Sequence, residues 1–243
     1  MAQPSLVSRA IPALLRSARG LSDVVFPPSC VHCRGLVQSE GGFRHLCDRC
    51  AAQLEFVAAP RCLTCGHPFY GEVLGERMCP HCEGLVPAFR EGRTAVLFKG
   101  PARALVIELK YHGGVHVLSD LTVSFRRTPG LLDFVRDAVL VPVPLHSRKE
   151  RERGFNQTHL VALELAAAAG GRTCVSGLLQ RVVDTQTQTN FDRRTRRANL
   201  KNAFALAPGI AITPGHIIFS SMTSLPRVPP SIAALSCFVA RAV

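Results

Sequence analysis

From Ala95 onward the chain alternates apolar runs with segments of helical period. Ala95-Val-Leu-Phe98 reads as a strand, and Ala102 to Leu109 repeats its apolar positions as a helix does. Ala138-Val-Leu-Val-Pro-Val-Pro144 is a β-branched run of the kind buried in a parallel sheet. His159 to Ala169, rich in Leu and Ala, predicts the helix after that strand, and Gly170-Gly171 predicts its end. Strand, loop and helix in this order imply an α/β layer architecture, in which ligands gather at the carboxyl ends of the strands. Ahead of this region the pattern changes. Residues 28–86 are poor in apolar side chains, and before them Leu6, Val7, Ile11, Leu14 and Leu15, interrupted by Arg9 and Arg16, predict an amphipathic helix over residues 1–27. A mitochondrial-type targeting segment is the alternative for that stretch.

The apolar-poor region is organised by cysteine. Eight of the ten cysteines fall into four Cys-x-x-Cys pairs: Cys30/Cys33, Cys47/Cys50, Cys62/Cys65 and Cys79/Cys82. The second set repeats the first at a constant offset of 32, and Pro28 and Pro60 precede the units at the same offset. This is an internal duplication. Two thiolates separated by two residues point into one knuckle, and two knuckles close a tetrahedral shell. The spacing therefore predicts two structural zinc ions, one per unit, with interleaved pairing between units left open. Zinc would supply the folding energy of a module too small to hold itself by burial. Isolated pairs working as thioredoxin-like redox centres are the weaker alternative, since redox chemistry needs no fourfold repeat. His32, His45, His67 and His81 lie among the cysteines, but each shell is full without them. Cys174 and Cys237 stand alone and read as ordinary thiols.

The 243 residues, 47% hydrophobic and 19% charged, fit a globular protein with a real core. A formal charge of +12 suits an anionic partner; half of that excess lies between Arg148 and Lys201, where eleven basic residues face five acidic ones. No run approaches the ~18 to 20 apolar residues needed to span a bilayer, so a cytoplasmic location is expected.

The basic excess has a focus. After Val143-Pro144 the chain reads Leu145-His-Ser-Arg-Lys-Glu-Arg-Glu-Arg-Gly-Phe-Asn-Gln157. Two prolines stiffen the turn, and Arg148, Lys149, Arg151 and Arg153 follow at the strand's carboxyl edge, an arrangement suited to pyrophosphate. The alternative is a solvated basic helix face. His146 either caps the turn or touches ligand.

This stretch, with Phe26-Pro-Pro-Ser-Cys30, Leu109-Lys-Tyr-His112, Thr187-Gln-Thr189 and Arg196-Arg-Ala-Asn199, resembles the ComF family in order and spacing from about Leu21 to Pro214. The resemblance implies a small double zinc ribbon over residues 28–86, then a parallel-sheet, type I phosphoribosyltransferase-like α/β domain over residues 92–219. It implies that Val143, Pro144, Leu145 and His146 form the pyrophosphate loop, with Arg148, Arg151 and Arg153 beside it. Gln188, Thr189 and Arg193 would lie in or near a flap. The implied ligand is phosphoribosyl pyrophosphate with magnesium, and the implied setting is nucleotide metabolism or DNA uptake in competence, with single-stranded DNA or a DNA-uptake helicase as partner.

One part of the pattern is missing. Type I phosphoribosyltransferases grip the sugar phosphate at a strand ending in two acidic residues, followed by a Thr/Ser- and Gly-rich loop and a helix. Ile217-Ile-Phe219 is a suitable final strand, yet Ser220-Ser-Met-Thr-Ser-Leu-Pro follows, with Pro226, Pro229 and Pro230 where a helix belongs. No acidic residue occurs after Asp192. Codons exist for Ser220 to Ser236 that, read two bases later, encode VDDVTSSGATVDRCAL, which is the missing motif. A frameshift or sequencing error near Phe219 is therefore expected, making residues 220–243 an aberrant tail that supplies neither the last strand nor the last helix of native packing. Transferase activity is expected to be impaired, and the catalytic residues stay unassigned. The competing expectation is a zinc-ribbon module that binds single-stranded DNA without catalysis, although aromatic residues for stacking are only 6% of the chain. A purely structural zinc scaffold is the third.

Overall fold

The computed structural model describes residues 27–38, 41–71, 77–80, 82–83, 89, 91–185, 192–208, 217–221 and 238–241. The helix expected before residue 27 lies outside them.

The strand β2, Val139–Pro142, has Leu140 and Val141 fully buried. It pairs in parallel with β3, Cys174–Val175, on one side and with β6, Ile217–Ser221, on the other. Beyond β6 lie β7, Phe238–Arg241, and then β1, Glu91–Arg93, giving the order β1-β7-β6-β2-β3. Both β1 and β6 run antiparallel to β7, so β7 alone among the described strands of this sheet runs against the others. Within the tail, Phe238–Arg241 forms an antiparallel strand paired on both sides, with β6 and with β1. A separate hairpin joins β4, Leu179–Arg181, to β5, Phe204–Leu206.

Helices cover the sheet with stripes of helical period. The helix α2, Gly100–Tyr111, starts with Pro101 in its first turn and buries Ala102, Leu105, Val106 and Leu109. The next, α3 (Leu118–Arg127), buries Leu118, Leu121 and Phe125, and the short α4 (Leu131–Val135) follows. After β2 come α5, Ser147–Arg153, and α6, Gln157–Ala169. In α6 Val161, Ala162, Leu165 and Ala169 face the core, and Leu165 alone contributes about 2 kcal/mol by leaving water. Gly170, at a φ of +66°, ends it where a side chain would be strained.

The predicted strand Ala95–Phe98 is corrected. All four residues are buried, but the main-sheet strand is Glu91–Arg93, separated from them by Thr94. Ala95–Leu97 instead joins the segment between the two cysteine units: the Val57 amide donates to Ala95 O at 3.0 Å and the Leu97 amide to Glu55 O at 2.9 Å. The apolar run is thus consumed by a seam between modules. Across it the first unit shares the main core, where Cys30, Phe43, Leu46, Cys50 and Leu54 pack in one cluster with the buried faces of α2, α3 and α6.

Candidate functional site

Each cysteine unit folds as the same loop twice. In the first, the Cys30 amide donates to Gly35 O at 2.7 Å, Arg34 N to Cys30 O at 2.8 Å and Val37 N to Pro28 O at 2.9 Å. Thirty-two positions on, Cys62 N donates to His67 O, Gly66 N to Cys62 O and Phe69 N to Pro60 O, at 2.7, 2.7 and 2.9 Å. Arg34 and Gly66 occupy the same left-handed conformation, at φ 64° and 69°. The turns aim the thiols inward, and Cys47 opens the one-turn helix α1, Asp48–Ala51, which carries Cys50.

Four sulfurs converge in each unit, Cys30, Cys33, Cys47 and Cys50 in one and Cys62, Cys65, Cys79 and Cys82 in the other, all within 4.8 Å of one another. Each unit closes on itself, which settles the interleaving left open by spacing. The Cys33–Cys47 and Cys65–Cys79 sulfurs are 3.7 and 3.6 Å apart. A tetrahedron with zinc–sulfur bonds of about 2.3 Å has an edge of about 3.8 Å, so the clusters have the size that two structural zinc ions require.

The thiols also show why a cation belongs there. Burial alone would raise Cys30, yet backbone hydrogen bonds from Cys33, Cys47 and His32 bring it down to about 7. In the second unit Cys62 is lowered by its bonds with Cys65 and Cys82, while Cys82 is pushed up to about 12, chiefly by its bond with Cys62. Neighbouring sulfurs cannot all ionise in one small volume. A divalent ion lifts that conflict.

The anion-site candidate begins where β2 ends. Val143 O accepts from Asn156 Nδ2 at 3.1 Å and from Thr158 Oγ1 at 2.6 Å, so the loop Val143 to His146 is pinned to the start of α6. Asn156 caps that helix through Oδ1, which accepts from the Thr158 amide at 3.0 Å. His146 caps α5, its Nδ1 accepting from the Arg148 amide at 3.4 Å, so the structure shows the capping role for it. The basic run forms a helix with no buried residue, and Gly154 ends it in the left-handed conformation.

The cations on α5 divide. Arg148 and Lys149 turn toward the strand β4 side, where Arg148 Nη1 lies 3.2 Å and Lys149 Nζ 3.8 Å from the Asp184 carboxylate. Arg151 is exposed. Arg153 donates to Gln157 Oε1, and burial lowers its pKa with Tyr111 opposing. Arg181 is lowered by burial too, against the field of Asp184, and its guanidinium bonds Thr185 Oγ1. Gln188 and Thr189 lie outside the described residues. Arg193 opens the helix α7, Arg193–Leu200, after Asp192, whose carboxylate accepts from Thr195 N at 2.8 Å.

Two carboxylates matter here that sequence reading passed over. Asp184 faces the α5 cations; its place just before the expected flap was the available signal. Asp120, on α3, is fully buried and accepts the Arg44 and His45 amides, both at 2.8 Å, tying the second knuckle of the first unit to the sheet domain. His45 also packs edge-on against His116, ring centroids 4.5 Å apart.

Comparison with known proteins agrees with this geometry. Residues 21–83 match the double zinc ribbon domain. The chain is 32% identical over 191 residues to the DNA utilization protein YhgH of Salmonella typhi, covering 74% of this chain and 78% of that protein. It is 26% identical over 185 residues to Competence protein F of Haemophilus influenzae, covering 73% and 76%, and 26% identical over 123 residues to Competence protein ComFC of Bacillus subtilis, covering 48% and 50%. No solved structure matches the chain at a significant level. Two four-cysteine clusters ahead of a parallel sheet, and likeness to two of these relatives over three quarters of their length, lead to one conclusion: the chain belongs to the ComF family.

Proposed function

We propose that this is a phosphoribosyltransferase-type protein of DNA uptake or use that keeps a pyrophosphate-binding turn and, as written, lacks the turn for the sugar phosphate. The observation that carries the reading is the parallel register of β2 and β6, with Pro142 opposite Ser220, so the two strands deliver their carboxyl ends side by side. One end feeds the loop Val143–His146 and the α5 cations Arg148 and Lys149. The other ends in Ser220-Ser221, without carboxylates for ribose hydroxyls, in a stretch where no residue after Asp192 is acidic. Reading two bases later would place two aspartates there. Magnesium would then accompany phosphoribosyl pyrophosphate, held by those aspartates.

The relatives' names, Competence protein F and DNA utilization protein, support the setting, with single-stranded DNA or an uptake helicase as partner. No helix among the described residues is long and apolar enough to cross a membrane, and we place the work in the cytoplasm. Residues 28–86 act as a structural double ribbon and residues 92–219 as the ligand-binding unit.

A second reading is supported by α7, whose sequence RRTRRANL carries four arginines: a ribbon module that grips single-stranded DNA without chemistry. Calorimetric titration with inorganic pyrophosphate, beside a DNA titration at several salt concentrations, separates the two. Pyrophosphate binding that disappears in the Arg148→Ala/Lys149→Ala variant supports the first. A steep salt slope for DNA with no pyrophosphate binding sinks it.

A further inference from the structure

The α5 cations already hold an anion, and it belongs to the protein. Asp184 Oδ2 lies 3.2 Å from Arg148 Nη1, and Oδ1 lies 3.8 Å from Lys149 Nζ and 4.0 Å from His146 Nδ1. Lys149 Nζ also donates to Thr185 O, and Arg181, whose charge feels Asp184, bonds the Thr185 hydroxyl. Side chains of Asp184 and Lys149 are only about a quarter exposed. The same groups that would receive a phosphate oxygen are therefore arranged around a carboxylate oxygen, on a segment that reaches them from β4 rather than from β2.

We propose that Asp184 is a built-in competitor that occupies the pyrophosphate-binding cations of the unliganded protein and sets a threshold of charge for any ligand that displaces it. The proposal rests on the anion-site reading above. A carboxylate offers one negative charge shared by two oxygens. Pyrophosphate brings several charges and more acceptors, so it can outcompete Asp184 where a singly charged anion cannot. Release of Asp184 also removes its ties to Arg148 and Lys149, leaving the bond from Lys149 to Thr185 O as the link to α5, so filling the site loosens residues 182–185. The alternative role, in which Asp184 holds Arg148 and Lys149 ready for ligand, predicts the opposite sign on its removal.

The test compares the full chain with its Asp184→Asn variant, using inorganic pyrophosphate and inorganic phosphate as probes in calorimetry and following backbone amide exchange without ligand. Asparagine keeps the shape and removes the charge. Pyrophosphate affinity should tighten about fivefold in the variant, the equivalent of one partly exposed ion pair. Binding of inorganic phosphate should tighten as well. Amides of residues 147–153 and 182–185 should exchange faster in the variant before any ligand is added. Equal or weaker pyrophosphate binding by the variant overturns the role of Asp184 while leaving the anion site standing. Unchanged exchange overturns the contact itself. If neither protein binds pyrophosphate although exchange rises, the anion-site reading falls and the competitor role falls with it.

Discussion

The two cysteine units are the same loop built twice, yet they sit in different relations to the rest of the chain. The first is continuous with the main core: Phe43 and Leu46, between its knuckles, are buried with the helices of the sheet domain, and Asp120 reaches across to bind its backbone. The second has a cluster of its own, four cysteines rimmed by Phe69 and Phe89. It meets β1 through polar links, the Gly92 amide to Leu63 O at 2.8 Å and Thr94 Oγ1 to Cys65 O at 3.1 Å. A duplicated metal loop has thus been used once as part of a hydrophobic core and once as an appendage. Ligand spacing fixes the knuckle; the residues between the knuckles decide what it is attached to.

Losing one zinc should therefore have unequal consequences. Structural zinc supplies ~10 kcal/mol or more of folding energy, comparable with the ~5–15 kcal/mol that holds a whole domain together. Cys50→Ser, with its thiol in the main core, should abolish cooperative thermal unfolding of the entire chain. Cys82→Ser should lose one zinc by native mass spectrometry and keep a cooperative transition in circular dichroism. Equal damage from both variants would erase the distinction.

Cutting the bridge while leaving the metals is the next largest test. Asp120→Ala removes the acceptor of two part-buried amides and should cost about 1–3 kcal/mol, read as a lower denaturant midpoint with two zinc ions still bound. An unchanged midpoint would mean that the first unit is not held by this carboxylate.

Smaller effects follow at the paired left-handed positions. A Cβ at Gly66 would stand 2.6 Å from the Thr94 amide nitrogen, so Gly66→Ala should destabilise the second unit by roughly 1–3 kcal/mol, seen as faster zinc transfer to a chelator. Its counterpart already bears a side chain at φ 64°, so Arg34→Gly should stabilise the first unit by up to ~1 kcal/mol. Last, Thr94→Val removes one hydrogen bond to Cys65 O and should cost ~1 kcal/mol, confined to the second unit in the same chelator assay.

What could be read in the chain beforehand was what depends on short spacing. The knuckles follow from two-residue gaps and the offset of 32, while β2 and α6 follow from a β-branched run and a Leu/Ala stripe. Ala95–Phe98 misled because its apolar residues are buried by a partner forty residues earlier, at Glu55–Val57, which periodicity cannot show. Asp120 looked like an ordinary acid in the first turn of α3, and its worth comes from amides 75 and 76 positions away. Asp184 offered only its place before the expected flap, because its partners Arg148 and Lys149 lie on α5, more than thirty positions earlier. The β7 strand was not legible because its partners, β6 and β1, lie at opposite ends of the sheet domain in sequence, and pairing at that distance leaves no mark in a four-residue run.

The claim that one ligand turn survives and the other is lost meets its most direct test in equilibrium binding of phosphoribosyl pyrophosphate with magnesium. The chain as written is compared with a version whose frame from Ser220 encodes VDDVTSSGATVDRCAL. The restored protein should bind at least about tenfold tighter, as expected for charge-assisted contacts to the sugar phosphate, and lose the gain when its two new adjacent aspartates become asparagines. The chain as written should bind the sugar phosphate no tighter than pyrophosphate alone. Equal affinity in the two proteins, or turnover by the chain as written, would contradict the account.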